Sequence, residues 1–214
     1  PNATLFPEAI IPLHIFEPRY RRMLSDVLKS HRMFAVAMRR PGTSSEIPMP
    51  VACVGLVRVC VGVPDGTSNL LLLGLKRVQC TGAVRYKPYR VECVEALENA
   101  GEEAAGLSRL RNQLVKMVRN RLAQELDEAL QFALPGMKPE APMPSMGGGM
   151  SAMSGKNGMD ILLKLDSASR LADFVASTLL SNPLQRQIVL ESLHLKTRLE
   201  NVSNFLSIEI ERKK

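Results

Sequence analysis

The stretch that most constrains the fold of this chain is PLHIFEPRYRRML, which occupies residues 12–24. Its opening residues are mostly apolar and suit a short strand, and Pro18 follows where the first turn of a helix tolerates proline. Beyond the proline, apolar residues recur every three or four positions, as on one face of a helix. They are Tyr20, Met23, Leu24, Val27 and Leu28. The stretch therefore predicts a strand that turns directly into an amphipathic helix.

The rest of the first hundred residues is predicted to be mainly β-strand, because valine-rich and leucine-rich runs of strand length alternate with short breaks. The predicted strands span residues 33–40, 51–63, 70–80 and 89–97. After the second of them, Pro64, Asp65 and Gly66 predict a tight turn, since proline fixes φ and glycine accepts a positive φ. Several strands joined by short turns and interrupted by one helix predict a small closed or nearly closed barrel.

The second half of the chain is predicted to be helical. Leucine, methionine and valine recur at helical spacing over residues 102–133, which predicts a long amphipathic helix. Further helices are predicted over residues 159–180 and from Pro183 onward. Asn182 is the expected N-cap of the last one, and a new apolar face predicts a break near Leu195.

Residues 135–158 interrupt this helical half with a segment dense in proline, glycine, serine and methionine. The segment has no periodicity, and we expect it to be a disordered linker. The predicted fold class is therefore α+β, with a β-rich domain over residues 1–100 and a helical bundle over residues 101–214 that contains the linker.

The charge and cysteine content restrict the functional classes. The net charge is +7, but aromatic residues make up only 4% and basic residues form no dense block, so a solvated basic surface is favoured over a nucleic-acid site. No apolar run is long enough to cross a membrane.

Four cysteines lie in strand-like segments without zinc spacing, and we expect buried, reduced thiols and a cytoplasmic protein. A disulfide between neighbouring strands is the alternative. The cysteines are Cys53, Cys60, Cys80 and Cys93.

No motif in the chain predicts catalysis. The three histidines, His14, His31 and His194, have no ligand-type residue four positions away, and no G-x-S-x-G nucleophile motif is present. The glycine run at residues 147–150 is followed by Ser-Ala and not by the Lys-Ser/Thr of a phosphate-binding loop. We therefore expect no enzymatic activity, no cofactor and no metal site.

Residues 12–23 closely resemble the opening of the N-terminal domain of the ATP-dependent protease Lon, which has the form P-L-x-I-F-E-x-R-Y-x-x-M. Residues 64–77 resemble the second mark of this family, a P-D-G turn followed by a strand with G-x-x-R. The C-terminal helices resemble the helical part of the family, so the resemblance covers nearly the whole chain. Its matching positions there are Ala172, Asp173, Gln187, Leu190, Glu191, Arg198 and Leu199. The resemblance implies a PUA-like β pseudo-barrel joined to a helical bundle.

The residues that carry the two family marks are expected to act mainly in the fold. At the junction of strand and helix, Glu17 is expected to cap free amides, and Arg19 to pair with a carboxylate or to satisfy carbonyl groups. Contact of these two residues with a partner is the alternative. Asp65 and Gly66 are expected to form the turn. The full set of motif residues is Glu17, Arg19, Tyr20, Asp65, Gly66, Gly74 and Arg77.

The resemblance implies a non-catalytic module that recognises unfolded or misfolded polypeptides. Because the chain carries neither the ATPase loop nor the serine–lysine pair of a full Lon protease, we expect either a stand-alone form of this module or an excised fragment. A separate protease is a further candidate partner, which would make the protein an adaptor or regulator. An RNA-binding protein with a PUA-like barrel is the other alternative.

Seven of the eleven methionines lie in or beside the long helix and the linker, where they would suit an adaptable apolar surface or be simple core and linker residues. They are Met117, Met137, Met143, Met146, Met150, Met153 and Met159.

Overall fold

The computed structural model describes residues 3–43, 47–101, 105–133 and 167–212, and these residues form a mixed α+β fold. The strands are β1 (Ile10–Ile15), β2 (Met33–Val36), β3 (Val51–Gly62), β4 (Ser68–Arg85) and β5 (Val91–Ala96). The helices are α1 (Pro18–Leu28), α2 (Leu107–Ala133), α3 (Ala168–Leu179), α4 (Pro183–Glu191) and α5 (Leu195–Arg212).

The five strands form one antiparallel sheet. Four of them lie side by side in the order β1-β4-β3-β2, and β5 pairs with β4 outside this path. The central strand β4 is 18 residues long and pairs with β3 along one edge. Its other edge is shared, since β1 pairs with its first part and β5 with its last part. Two of the three ladders of β4 contain shifts of register, for example between Val57 and Val59 of β3 and between Cys80 and Gly82 of β4. Such irregularities bend and twist a long strand, which lets β4 serve three neighbours.

The predicted passage from strand to helix is confirmed, because β1 leads into α1 with Pro18 in its first turn. Leu24 and Val27 are the residues of α1 that are buried against the sheet. The strand predicted over residues 33–40 is shorter in the structure and ends at Val36. After it the chain turns at Gly42, whose φ of +73° favours glycine.

The helical predictions are also largely confirmed. The long helix begins at Leu107, later than predicted, because Gly106 precedes it with a φ of +86°. Asn182 caps α4 by accepting a hydrogen bond from the Leu184 amide at 2.9 Å, and the chain breaks before Leu195 as expected. Residues 134–166 lie outside the described residues. They include the predicted linker with all of its methionines and the start of the helix predicted over residues 159–180.

Most of the buried apolar residues of the sheet and of the helices belong to one continuous cluster. Leu5, Phe6 and Leu72 contribute from the β-rich part, and Leu114 and Leu199 contribute from the helices. The division into domains near residue 100 stays a prediction. At that point Ala100 bridges to His194, and the Ala100 carbonyl accepts the Leu195 amide at 2.8 Å, so both parts of the chain are joined there.

All four cysteines are free thiols, and the alternative of a disulfide is therefore wrong. The prediction of burial is right for Cys53, only partly right for the half-buried Cys60 and Cys80, and wrong for Cys93, which is exposed near the middle of β5. Burial raises the pKa of the Cys53 thiol to about 12. Cys53 therefore stays protonated at neutral pH and acts as a small core residue.

Candidate functional site

The first group of motif residues lies where β1 turns into α1. The Glu17 carboxylate accepts hydrogen bonds from Arg19, at 2.9 Å from Nε and 2.8 Å from Nη2. The Arg19 guanidinium also lies over the Tyr20 ring, 4.6 Å from its centre. The expected pairing of Arg19 with a carboxylate is confirmed. The expected capping by Glu17 is wrong, because its carboxylate faces Arg19 instead of the free amides of α1.

The turn between β3 and β4 lies close to this junction, because the end of β1 pairs with the start of β4. The Asp65 carboxylate accepts hydrogen bonds from the Thr67 hydroxyl at 2.7 Å and the Thr67 amide at 2.8 Å. These two bonds hold the pKa of Asp65 below its ordinary value. Gly66 has a φ of +82°, and a Cβ atom there would lie 2.1 Å from Nη2 of Arg21 in α1. Both residues fit the predicted turn.

The other two motif residues, Gly74 and Arg77, lie further along β4, beneath the N-terminal segment. The Glu8 amide donates to the Gly74 carbonyl and the Gly74 amide donates to the Ala9 carbonyl, each at 2.8 Å. A Cβ atom on residue 74 would lie 1.9 Å from the Phe6 carbonyl oxygen. Only glycine fits at this crossing. That the motif residues act mainly in folding stays a prediction.

Arg77 forms the centre of a buried ionic network. Its Nη1 and Nη2 donate to the two carboxylate oxygens of Asp173 in α3, at 2.8 and 2.6 Å, and its Nε donates to the Leu190 carbonyl of α4 at 2.9 Å. Arg198 of α5 lies on the same carboxylate, 3.5 Å from Oδ1. The three charged side chains are at most 5% exposed. The network thus joins the sheet to three helices and contains two cations for one carboxylate.

Arg198 satisfies most of its remaining donors with neutral oxygens. It donates to the Ser169 hydroxyl at 2.8 Å, to the Asn99 side-chain oxygen at 2.7 Å and to the Ser192 carbonyl at 2.7 Å. A second tie between sheet and helices runs through Gln187, whose amide nitrogen donates to the Val51 carbonyl at 2.9 Å. Because these hydrogen bonds occupy donor groups of Arg198 and Gln187, the two polar side chains can be buried here.

A polar cleft opens beside this network, between β4 and the start of α3. Its volume is about 340 Å³. Arg77, Asp173 and Ser169 line its inner part. Two exposed ion pairs stand at its rim, Lys76 with Glu98 and Arg170 with Glu8, the latter at 2.6 Å. Sequence patterns gave no signal for this cleft, because its residues come from segments almost a hundred positions apart.

The second candidate surface is the outer face of the sheet, where apolar side chains from three neighbouring strands are exposed. Ile10 of β1 is 59% exposed, Leu71 of β4 is 40% exposed, and Val59 and Val61 of β3 are 46% and 57% exposed. The strand register places these side chains in adjacent rows. The rows are Ile10–Leu73–Leu56, Pro12–Leu71–Val59 and His14–Asn69–Val61. We call these nine residues the outer face.

Phe16 extends the apolar character of the outer face beyond β1, because it is 59% exposed and its ring is stacked with His14 at a centroid distance of 5.8 Å. The sequence signal for this surface is that β1, β3 and β4 do not alternate apolar with polar residues. A strand with one face against the core and the other in water shows such alternation, whereas these strands are apolar on both faces.

Within the described part of the chain, no three histidine, cysteine or carboxylate side chains are grouped so as to hold a metal ion. None of the helices in that part is both long enough and apolar enough to cross a membrane.

Comparison with known proteins agrees with the fold. Residues 1–207 match the family model of the ATP-dependent protease La (LON) substrate-binding domain. The chain is 24% identical over 215 residues to the Lon protease of Dictyoglomus thermophilum and 27% identical over 216 residues to Lon protease 2 of Herpetosiphon aurantiacus. Each match covers 98% of this chain but only 24% and 23% of those proteins. The chain therefore spans about a quarter of the length of these relatives.

Two solved structures have a similar fold. The Lon N-terminal domain protein from Xanthomonas campestris superposes with a TM-score of 0.61 at 19% identity, covering 94% of this chain and 92% of that one. The N-terminal domain of Mycobacterium avium complex Lon protease gives 0.66 at 16% identity, covering 95% and 92%. The chain belongs to the Lon substrate-binding domain family.

Proposed function

We propose that this chain is a non-catalytic module that recognises unfolded or misfolded polypeptides, and that the outer face of the sheet is its binding surface. The observation that carries the proposal is the exposure of Ile10, Val59, Val61 and Leu71 in adjacent rows. Contiguous exposed apolar side chains are unusual on a protein surface and mark interaction sites. An unfolded chain exposes the apolar side chains that a folded protein buries, so contact with this face would select for unfolded partners.

Family membership supports the same function, since the family is named for substrate binding and its model matches most of the chain. We further propose the finer architecture that the resemblance implies. In it, residues 1–100 form a PUA-like pseudo-barrel and residues 101–214 a helical bundle, joined by the network of Arg77, Asp173 and Arg198. A cytoplasmic location is part of the proposal, because free thiols suit a reducing compartment.

Delivery of the bound polypeptide to an ATP-dependent protease is the corresponding biological role. The relatives named above are Lon proteases, and the chain matches about a quarter of their length. Whether the protease is a separate partner or a further part of the same protein, the module would act by holding the substrate. Co-purification of a protease with the full-length protein tests this role.

A second candidate function, RNA binding, has one specific observation in its favour. The loop and strand ends between β4 and β5 carry Arg85, Lys87 and Arg90 together with two of the three tyrosines. Tyr86 is 67% exposed, and Arg90 and Arg85 lie over the rings of Tyr86 and Tyr89, each 5.0 Å from the ring centre. Exposed aromatic rings next to basic side chains suit stacking on bases. Arg90 also pairs with Glu92, which weakens the attraction for phosphates.

Fluorescence anisotropy separates the two candidates. A labelled, permanently unfolded polypeptide and a labelled structured RNA are titrated with the protein at about 150 mM salt, where long-range charge attraction is screened. Saturable binding of the polypeptide alone supports the proposal. Binding of the RNA alone, with a steep loss of affinity as salt rises, would replace it with nucleic-acid binding. If neither binds, the role of adaptor for a separate protease becomes the leading one.

A further inference from the structure

We infer that the bound polypeptide forms an additional β-strand, which pairs with the free edge of β3 over residues 58–62 and widens the outer face by one strand. The substrate class is then an extended segment with apolar side chains at alternate positions. The inference rests on the proposed function, because the same outer face supplies the apolar contacts.

The outer edge of β3 is paired over only part of its length. β2 covers residues 53–56 of this strand of 12 residues. One further bond runs from the Val57 amide to the Arg32 carbonyl at 2.8 Å. Arg32 directly precedes β2 and has a φ of +58°, so the chain enters the sheet at a bend. Among the described residues, no strand pairs with residues 58–62 along this edge.

The backbone groups of Cys60 and Gly62 point away from the sheet at this edge. In an antiparallel strand the N–H and C=O of one residue face the same edge, and those of the next residue face the other. The Val63 amide donates to the Thr67 carbonyl on the side of β4, at 2.9 Å. The groups of Gly62 and Cys60 therefore face the open side, as the Val57 amide does. A register shift that begins at Val57 accounts for the change of phase between it and Val63.

These backbone groups form a template that an extended polypeptide can complete. Two donors and two acceptors, carried by residues two positions apart, match the hydrogen-bonding repeat of an antiparallel strand. The added strand would place every second side chain on the outer face, beside Val59 and Val61, which are 46% and 57% exposed. The main chain would then supply affinity for many sequences, and the two valines would select apolar side chains at alternate positions.

The other free edges of the sheet are protected against such pairing. β1 contains Pro12, which has no N–H to donate, and β2 is only 4 residues long. β5 carries Glu92 and Glu95 among its 6 residues. The open part of β3 contains neither proline nor a carboxylate. This difference favours β3 as the edge that receives a partner.

Exposed arginines favour an acidic side chain at one end of the added strand. Arg32 and Arg58 are both exposed at the end of the open edge nearest β2, and Arg32 donates to the Val57 carbonyl from Nη2 at 3.2 Å. At the other end of this edge Asp65 lies near Arg21, so the two charges offset each other. A segment antiparallel to β3 would bring its C-terminal residues beside Arg32 and Arg58, where a carboxylate is attracted.

The test uses a fluorescein-labelled peptide in which valine alternates with threonine and a glutamate precedes a C-terminal amide. Its anisotropy is followed at about 150 mM salt. With the valines on the outer face, the threonine amides face β3. Methylating the threonine amide nitrogens should therefore weaken binding by about tenfold or more, because each methyl group removes a hydrogen-bond donor. The matched control carries the same number of methyl groups on the valine amides, which face solvent, and should bind like the unmethylated peptide.

Two variants of β3 test the edge from the side of the protein. Gly62→Pro removes the open N–H and should weaken binding of the peptide by about tenfold. Gly62→Ala is its control, because it keeps this N–H and its Cβ meets no atom within 4 Å. Replacing the glutamate of the peptide with lysine should weaken binding, and Arg58→Glu should remove that preference. Arg109→Glu makes the same change of charge at an exposed position of α2 and should keep the preference.

Equal affinity of the two methylated peptides, or binding of none of the peptides, would overturn the inference. If the unfolded polypeptide of the first anisotropy experiment still binds in that case, the outer face stands without strand addition. Loss of affinity only on methylating the valine amides would turn the valines away from the outer face and would also overturn it. If the peptides bind with the expected pattern while the unfolded polypeptide does not bind, the proposed function fails and the strand-binding edge stands.

Discussion

Arg77 of β4 and Asp173 of α3 are 96 residues apart in the sequence and face each other as a two-point ion pair, with N–O distances of 2.8 and 2.6 Å. Arg198 approaches the same carboxylate from α5. Asp173 is therefore the carboxylate that both buried guanidinium groups share. Removing it would leave the buried Arg77 guanidinium without its two carboxylate contacts, which is more costly than replacing the whole network with apolar residues.

The variant Asp173→Asn should lower the free energy of unfolding by about 3 kcal/mol or more, because breaking a buried ion pair on one side leaves a charge without a partner. Urea denaturation at pH 7 measures the change. The matched control is Arg22→Ala, which breaks the exposed pair of Arg22 and Asp26 at 3.4 Å in α1. It should cost about 0.5 kcal/mol or less. Similar losses in both variants would show that the buried network does not hold the sheet to the helices.

The outer face should lose its binding when its apolar area is removed. The triple variant Ile10→Thr/Val59→Thr/Leu71→Thr keeps residues that suit strands and should weaken binding of the unfolded polypeptide at least tenfold, because each position loses apolar area that a partner would cover. The change in anisotropy midpoint measures this effect, and the melting temperature should move little.

A matched control for the outer face is Val84→Thr, which changes an exposed valine on β4 that lies outside the three rows. It should leave the affinity for the polypeptide unchanged. If it weakens binding as much as the triple variant does, the site lies elsewhere on the sheet or on the hairpin between β4 and β5.

Local features of the fold were predictable from the sequence, because each depends on neighbours in the chain. Pro18 marks the start of α1, Asn182 caps α4, and Asp65 and Gly66 form their turn as the patterns indicate. Glu17 shows the limit of this reasoning. Its position favours capping, yet Arg19 is only two residues away and competes successfully for the carboxylate.

The candidate sites were less predictable, because they depend on long-range contacts. The side chains of Ser169 and Asn99 meet only after α3 packs near the end of β5, and nothing in either segment alone marks a cleft. The sequence gives a weaker signal for the outer face, because its residues alternate with core residues in strands that are apolar on both sides. That pattern is equally typical of a strand buried on both faces, so the choice required the structure.

Gly74 is predicted to tolerate no side chain. A Cβ atom in Gly74→Ala would lie 1.9 Å from the Phe6 carbonyl oxygen, and backbone cannot move aside as a flexible side chain can. We expect a loss of about 2 to 3 kcal/mol in unfolding free energy. Amide hydrogen exchange should also become faster at Glu8 and Gly74, whose amides bond across this crossing. Gly62→Ala in β3 is the control, because no atom lies within 4 Å of its added Cβ. Equal stability of the two variants would contradict the close approach.

The link between the loop before α4 and helix α5 should depend on pH. The Ser181 hydroxyl donates to Oε1 of Glu209 at 2.5 Å and the Ser181 amide donates to the same oxygen at 3.3 Å. The hydroxyl bond is the largest of the effects that hold the pKa of Glu209 below its ordinary value. A carboxyl group with a lowered pKa in the folded state stabilises the protein at pH values above its ordinary pKa. This contribution is lost as the pH falls through the lowered value.

Ser181→Ala should therefore raise the pKa of Glu209 in a carbon-13 NMR titration. It should also destabilise the protein more at pH 7 than at pH 3. Ser207→Ala, whose hydroxyl bonds the Ser203 carbonyl within α5, is the control and should leave the pKa of Glu209 in place. A stability difference between wild type and Ser181→Ala that stays constant from pH 7 to pH 3 would contradict this linkage.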